Sequence, residues 1–141
     1  MLILNGEPFS CGRSAFFDHD LARSEQTAKI FVRIVVAQQE FLARLDTGAA
    51  WSVITPDVAQ SAGAISNGLE TTLNTLYGRI SGRLTRIPIT LVAEEGESLE
   101  VDSTFLISSA WSHGIHLGYS GLLDSIRFAL DPFHNSFYFG C

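Results

Sequence analysis

Apolar and polar residues alternate most cleanly between positions 99 and 107, where Leu99, Val101, Phe105 and Ile107 share one face with Ser103. A period of two over that length predicts a half-buried strand. The β-prone runs 29–36 and 41–45 are joined by Ala37-Gln38-Gln39-Glu40, which predicts a hairpin. A longer hairpin is expected from 71–76 and 83–92 around a glycine-bearing tip, Tyr77 to Gly82, with Leu84, Ile87, Ile89 and Leu91 in partial alternation. Pro88 cannot donate to a ladder, so it marks an edge or bulged portion of the second arm. Thr55 as N-cap, Pro56 at the first helical position and Gly63 as the stop predict a short helix over 55–62. A second short helix fits 121–125. The runs 127–130 and 136–139 bracket the turn-rich Asp131-Pro132-Phe133-His134-Asn135 as a closing hairpin. The fold class read from this pattern is all-β with one or two short helices. Residues 1–28 carry turn signals at Asn5-Gly6, Cys11-Gly12 and Asp18-His19-Asp20, and form an arm or extra hairpin ahead of a domain at 29–141.

Composition narrows the class. With 141 residues, 46% hydrophobic and 17% charged, the chain is long enough for one domain with a buried core. Its net charge of −6, from 15 acids against 9 basic residues, argues against nucleic acid and against an anionic membrane surface as partners. The apolar run Met1-Leu2-Ile3-Leu4 is too short for a secretory signal and lacks a basic lead. No segment reaches transmembrane length, so a cytoplasmic protein is the expectation. Cys11 and Cys141, the only cysteines, read as two unrelated thiols, with a bridge as the alternative. Glu94-Glu95-Gly96-Glu97 reads as a solvated acidic turn.

The chemistry concentrates at Leu45-Asp46-Thr47-Gly48-Ala49-Ala50-Trp51-Ser52-Val53-Ile54, where an acid, a hydroxyl and a glycine stand between two apolar runs. A carboxylate in such surroundings is costly to bury unless hydrogen bonds or chemistry compensate. This stretch resembles the active-site loop of aspartic proteases. A single copy in a short chain resembles the retropepsin-like, retroviral-type form, whose barrel carries half a site per chain. The resemblance implies an aspartic endopeptidase that acts as a homodimer on an extended polypeptide, with no cofactor and no metal. In the established mechanism of that class, two carboxylates share one proton, because like charges so close cannot both ionise. Asp46 would be the catalytic residue, paired with its copy in a second chain and titrating jointly with it. Thr47 would reach across to the other loop, Gly48 would allow close backbone approach, and Ala49 matches the retroviral form better than the pepsin form. Lacking the hydroxyl that pepsins place there, the pair should favour a less acidic optimum.

Two further segments extend the resemblance to about residues 29–139. Tyr77, Gly78, Arg79, Ile80, Ser81 and Gly82 resemble the flap that folds over bound peptide. Ile115-His116-Leu117-Gly118 followed by Leu122-Leu123 resembles the later pattern in which a structural glycine, here Gly118, packs beneath the catalytic loop. Departures accompany the match. Ala50 and Tyr119 stand where many retroviral enzymes carry an acid and a base that pair, and Trp51 replaces a polar residue, which implies a more apolar substrate subsite. Losing both ionic partners together leaves no unpaired buried charge.

Other signals have plainer readings. His113 and His116 lack a third ligand and read as surface or core residues. Ser52 has no Gly-x-Ser-x-Gly context for a nucleophile. The aromatic C-terminal segment reads as core or interface, and terminal strands close retropepsin-like dimers, so an uncovered apolar end would want a partner. The rival to the enzyme is a catalytically weak or inactive peptide-binding or scaffold module of the same fold. A third reading is a monomeric domain within a larger assembly.

Overall fold

The computed structural model describes residues 1–20, 25–64 and 68–141. The chain opens with a small hairpin of β1 (Ile3–Leu4) and β2 (Glu7–Pro8), turned by Asn5 and Gly6 at φ 52° and 79°. Then come β3 (Gly12–Ala15), β4 (Phe17–Asp20), β5 (Glu25–Val36) and β6 (Gln39–Leu45). The hairpin expected at 29–45 is present, and its turn is only Ala37-Gln38, both at positive φ. Two left-handed residues give the turn that matches the natural strand twist. β7 (Ser52–Ile54) leads into α1 (Pro56–Ser61), with Gly63 past its end at φ 69°. Thr55 makes no side-chain capping bond, so the helix start rests on Pro56 and its pre-set φ.

β8 (Glu70–Thr75) and β9 (Gly78–Leu91) form the long hairpin, followed by β10 (Glu95–Gly96), β11 (Leu99–Ile107) and β12 (Ile115–Leu117). A 3-10 turn at Leu123–Ser125 precedes the closing pair, β13 (Arg127–Asp131) and β14 (Ser136–Gly140).

One sheet runs β4-β5-β6-β12-β7-β11-β9-β8, and β5 also pairs with β9 through Ile34↔Leu91 and Val35↔Thr90, which closes the intervening strands into a barrel. β12 lies parallel to β6 with Leu117 opposite Leu45, so the loops leaving both strands emerge side by side. Pro88 sits in the part of β9 between its β8 pairing, which ends at Arg83, and its β5 pairing, which begins at Thr90. β9 is an edge there, as a residue without an N–H requires. Along β11, Val101, Ser103, Phe105 and Ile107 are buried as their alternation predicts. The Ser103 hydroxyl donates to the Ile87 carbonyl at 2.6 Å, which removes the cost of burying it.

The second sheet has the order β10-β3-β14-β13. β14 is central in it and buries Phe137 and Phe139, each contributing about 1.5–3 kcal/mol. The apolar C-terminal end is therefore covered within one chain, with β3 on one edge of β14 and β13 on the other. Gly12 makes this possible, because a Cβ there would stand 2.5 Å from the Phe139 ring. The acidic turn at 94–97 is engaged rather than simply solvated. Glu94 accepts from Arg33 at 3.3 Å and from the Ala15 amide at 3.3 Å, and pairs with Arg13 at 3.7 Å. Partly exposed pairs of this kind contribute about 0.2–1 kcal/mol each. Cys11 and Cys141 are free thiols. Among the described residues, no helix is long and apolar enough to cross a membrane.

Candidate active site

β6 carries the chain outward to Asp46, whose amide donates to the Leu117 carbonyl of β12 at 2.9 Å. The backbone then turns, with the Ala49 amide donating to the Asp46 carbonyl at 3.2 Å. The segment after β12 clamps the far side of the loop through Tyr119 N–H to Ala49 O and Ser120 N–H to Ala50 O, both 2.9 Å. Gly118 lies directly beneath. A Cβ on it would stand 2.5 Å from the Trp51 carbonyl oxygen and 2.7 Å from the Ser52 nitrogen, and its amide donates to the buried Ser52 hydroxyl at 2.8 Å. Asp46 is half-buried, whereas Thr47 and Gly48 are exposed. Space within this chain does not demand glycine at position 48, since a Cβ there would meet only Asp46 Oδ1, at an ordinary 3.6 Å.

Asp46 opens onto a cavity of about 450 Å³, walled by Arg44, Gly48, Ala49, Val53, residues 73–77, Trp111 and His116. The hairpin of β8 and β9 roofs it. Its turn is Leu76-Tyr77, one step earlier than the glycine-rich segment suggests, with Thr75 paired to Gly78. Thr75 Oγ1 accepts from the Tyr77 amide at 3.1 Å and donates to the Gly78 carbonyl at 2.7 Å, and Gly78 takes φ 114°, which only glycine adopts freely. The Tyr77 ring stacks on His113 at 3.6 Å and 10°, and Trp111 meets His113 and His116 edge-on at 5.0 and 4.7 Å. Trp111 is itself fixed by its Nε1–H donating to the Gly114 carbonyl at 2.6 Å. This aromatic cluster ties the hairpin tip to the loop before β12.

Of the six residues that resemble a flap, Tyr77 lines the cavity and the others run away from it along β9. Arg79 reaches Thr72 at 3.3 Å, Ile80 is buried, and the Ser81 carbonyl accepts from Ser108 at 2.6 Å. Gly82 lies against the Ile107 carbonyl with no room for a side chain. The roof is lined instead by β8, through Leu73, Asn74 and Thr75. Trp51 is half-buried against Val53, Leu73, Ile80, Leu106 and Trp111, outside the cavity lining. Among the described residues, no group of three or more His, Cys, Asp or Glu is placed to hold a metal ion.

His116 was not legible as a site residue, yet its Nδ1 lies 3.9 Å from Asp46 Oδ2. The signal was the alternation of β12. Ile115 and Leu117 face the core, which sends His116 to the opposite side, in register with Arg44 of β6 and Val53 of β7. Burial, and then the nearby Arg44 cation, push the His116 pKa from 6.5 down to about 4, against the opposing pull of Asp46. Above that pH the imidazole is neutral, so it contributes a polar ring and no charge beside the carboxylate.

This makes stability depend on pH. Between 6.5 and about 4 the unfolded chain binds a proton at His116 that the folded chain refuses, so stability falls as pH falls through that window. By pH 4.5 the loss from this group is about 2 to 3 kcal/mol. Urea denaturation of wild type and His116→Gln at pH 7 and 4.5 checks it. The wild type should lose more stability by about that amount, and equal losses would return His116 to its ordinary pKa.

No protein-family model matches the chain, and no curated protein matches it. Among solved structures, the chain is similar to the crystal structure of a retropepsin-like aspartic protease from Rickettsia conorii, at 17% identity and TM-score 0.61. The match covers 91% of this chain and 89% of that one. The likeness is one of fold, and it identifies the barrel as an all-β acid-protease fold of the retropepsin type.

Proposed function

We propose that the chain is an aspartic endopeptidase that hydrolyses peptide bonds as a homodimer, with one Asp46 from each copy. The supporting observation is the placement of Asp46 on an exposed loop at the mouth of a hairpin-roofed cavity, within an acid-protease fold. One carboxylate of the pair takes a proton from water as its oxygen attacks the peptide carbonyl carbon. The other, protonated, gives its proton to the carbonyl oxygen. Collapse of the resulting diol breaks the C–N bond as the first carboxyl passes its proton to the amine nitrogen and the second carboxylate takes one back from a diol hydroxyl. Thr47 and Gly48 face outward, as residues that meet a second loop would. The tip at Tyr77 closes over an extended peptide, and Gly118 supports the loop from below. No cofactor or metal takes part in this chemistry.

The test is cleavage of a mixed peptide library between pH 4.5 and 7, with light scattering on the same samples. Activity per chain should rise with protein concentration as particles of one chain give way to particles of two. Constant activity per chain at a size of one chain would overturn the shared site. Peptide binding without cleavage would make the protein a binding module of this fold.

A further inference from the structure

A second cavity, also about 450 Å³, continues from the first and shares Arg44, Tyr77 and His116 with it. Its remaining walls are Lys29, Phe31, Leu42, Ile115 and the loop 112–114, which brings His113. In a chain with 15 acids and 9 basic residues, none of the described residues lining this cavity is an acid. Among the described residues, Lys29 and Arg44 have no ion-pair partner, as is also true of Arg79, Arg83 and Arg127, whereas Arg13, Arg33 and Arg86 pair with carboxylates. Of the unpaired cations, only Lys29 and Arg44 line this cavity, together with His116.

A recess lined by one sign of charge attracts a ligand group of the opposite sign. Phe31 and Leu42 supply apolar wall for a methylene stem, and the two cations supply the polar end. Arginine suits a carboxylate in particular, because its planar fork can donate two parallel hydrogen bonds.

We propose that the second cavity is a specificity subsite for a carboxylate of the peptide substrate, held by Arg44 and Lys29 next to Asp46. This rests on the reading of the first cavity as a peptide site. The favoured substrate is then a peptide with an acidic residue close to the bond that is cut. The apolar half of the pocket favours glutamate over the shorter aspartate. Tyr77 forms the rim between the two cavities, so closure of the hairpin tip would seat both the scissile bond and the acidic side chain.

Two series of quenched fluorescent peptides test it. In the first, Glu replaces Gln in turn at each position around the cut, with both ends blocked. In the second, all side chains are neutral and the C-terminal acid is free. The wild type should prefer Glu over Gln at one position by at least about tenfold in kcat/KM. Arg44→Gln and Lys29→Gln should each bring that ratio toward one. The ratio is the readout because it cancels any general loss of activity. Preference carried by the first series assigns the subsite to a side chain, and by the second to a chain end. Cleavage with no preference in either series overturns the subsite and leaves the peptidase intact. Where no peptide is cut, fluorescence anisotropy decides. Glu-selective binding that is lost in Lys29→Gln supports the subsite without the peptidase, and equal binding of Glu and Gln peptides overturns it.

Discussion

Asp46→Asn abolishes peptide hydrolysis, by at least about 10³-fold, while the protein stays folded. Asparagine keeps the shape of the carboxylate but can neither take a proton from water nor cycle one to the carbonyl oxygen. The side chain is 29% exposed, and among the described residues its one ionisable neighbour within 4.0 Å is His116, neutral at ordinary pH, so the charge is not holding the fold together. The change in stability should stay within about 1 kcal/mol. Mixing variant and wild type gives a sharper reading. If two chains share one site and exchange freely, an equal amount of variant leaves about half of the wild-type activity, and a ninefold excess leaves about a tenth. If each chain works alone, added variant changes nothing. Activity titrated against variant at fixed wild type therefore separates a shared site from an independent one.

What was legible in the sequence follows from how local each signal is. The alternation of 99–107 and the hairpin of 29–45 are written in neighbouring residues, and the structure has both. The Asp-Thr-Gly loop was legible because its chemistry is written in consecutive residues. The partners of the first residues were not, because β3 pairs with β14 at the other end of the chain and nothing near position 12 encodes that register. The same distance hid the attachment of Glu94 to Arg13. The hairpin tip was misplaced for a different reason. Glycines at 78 and 82 suggested one broad turn, but Gly82 is small to fit against Ile107, and the turn itself is Leu76-Tyr77. The phenylalanines of the terminal strand read as core or interface, because terminal strands close retropepsin-like dimers. Phe137 and Phe139 belong to the main buried core, and β3 pairs along the edge of their strand. His116 was overlooked because a lone histidine in an apolar strand has many uses, and only the parallel pairing with Arg44 brings it beside Asp46.

Two glycines around the loop should fail in opposite ways when each is replaced by alanine. In Gly118→Ala the new methyl runs into the Trp51 carbonyl and the Ser52 nitrogen, both backbone atoms that cannot rotate aside. Relief requires β12 to move away from the loop, which stretches the 2.8 Å bond from the Gly118 amide to the buried Ser52 hydroxyl. Overpacking against backbone together with a weakened buried hydrogen bond costs about 3 kcal/mol or more. The denaturation midpoint should drop accordingly, and activity should fall with it. Gly48→Ala meets no such obstacle, because the methyl has ordinary room and the backbone there is not in the left-handed region. Its stability as a single chain should change by no more than about 1 kcal/mol. What the methyl would obstruct is the approach of the second loop and of substrate, so cleavage and dimerisation should weaken while the monomer holds. Measuring urea midpoints at a concentration below dimerisation, and cleavage above it, separates the two. Equal loss of stability in both variants would place Gly48 among the structural glycines and remove it from the shared site.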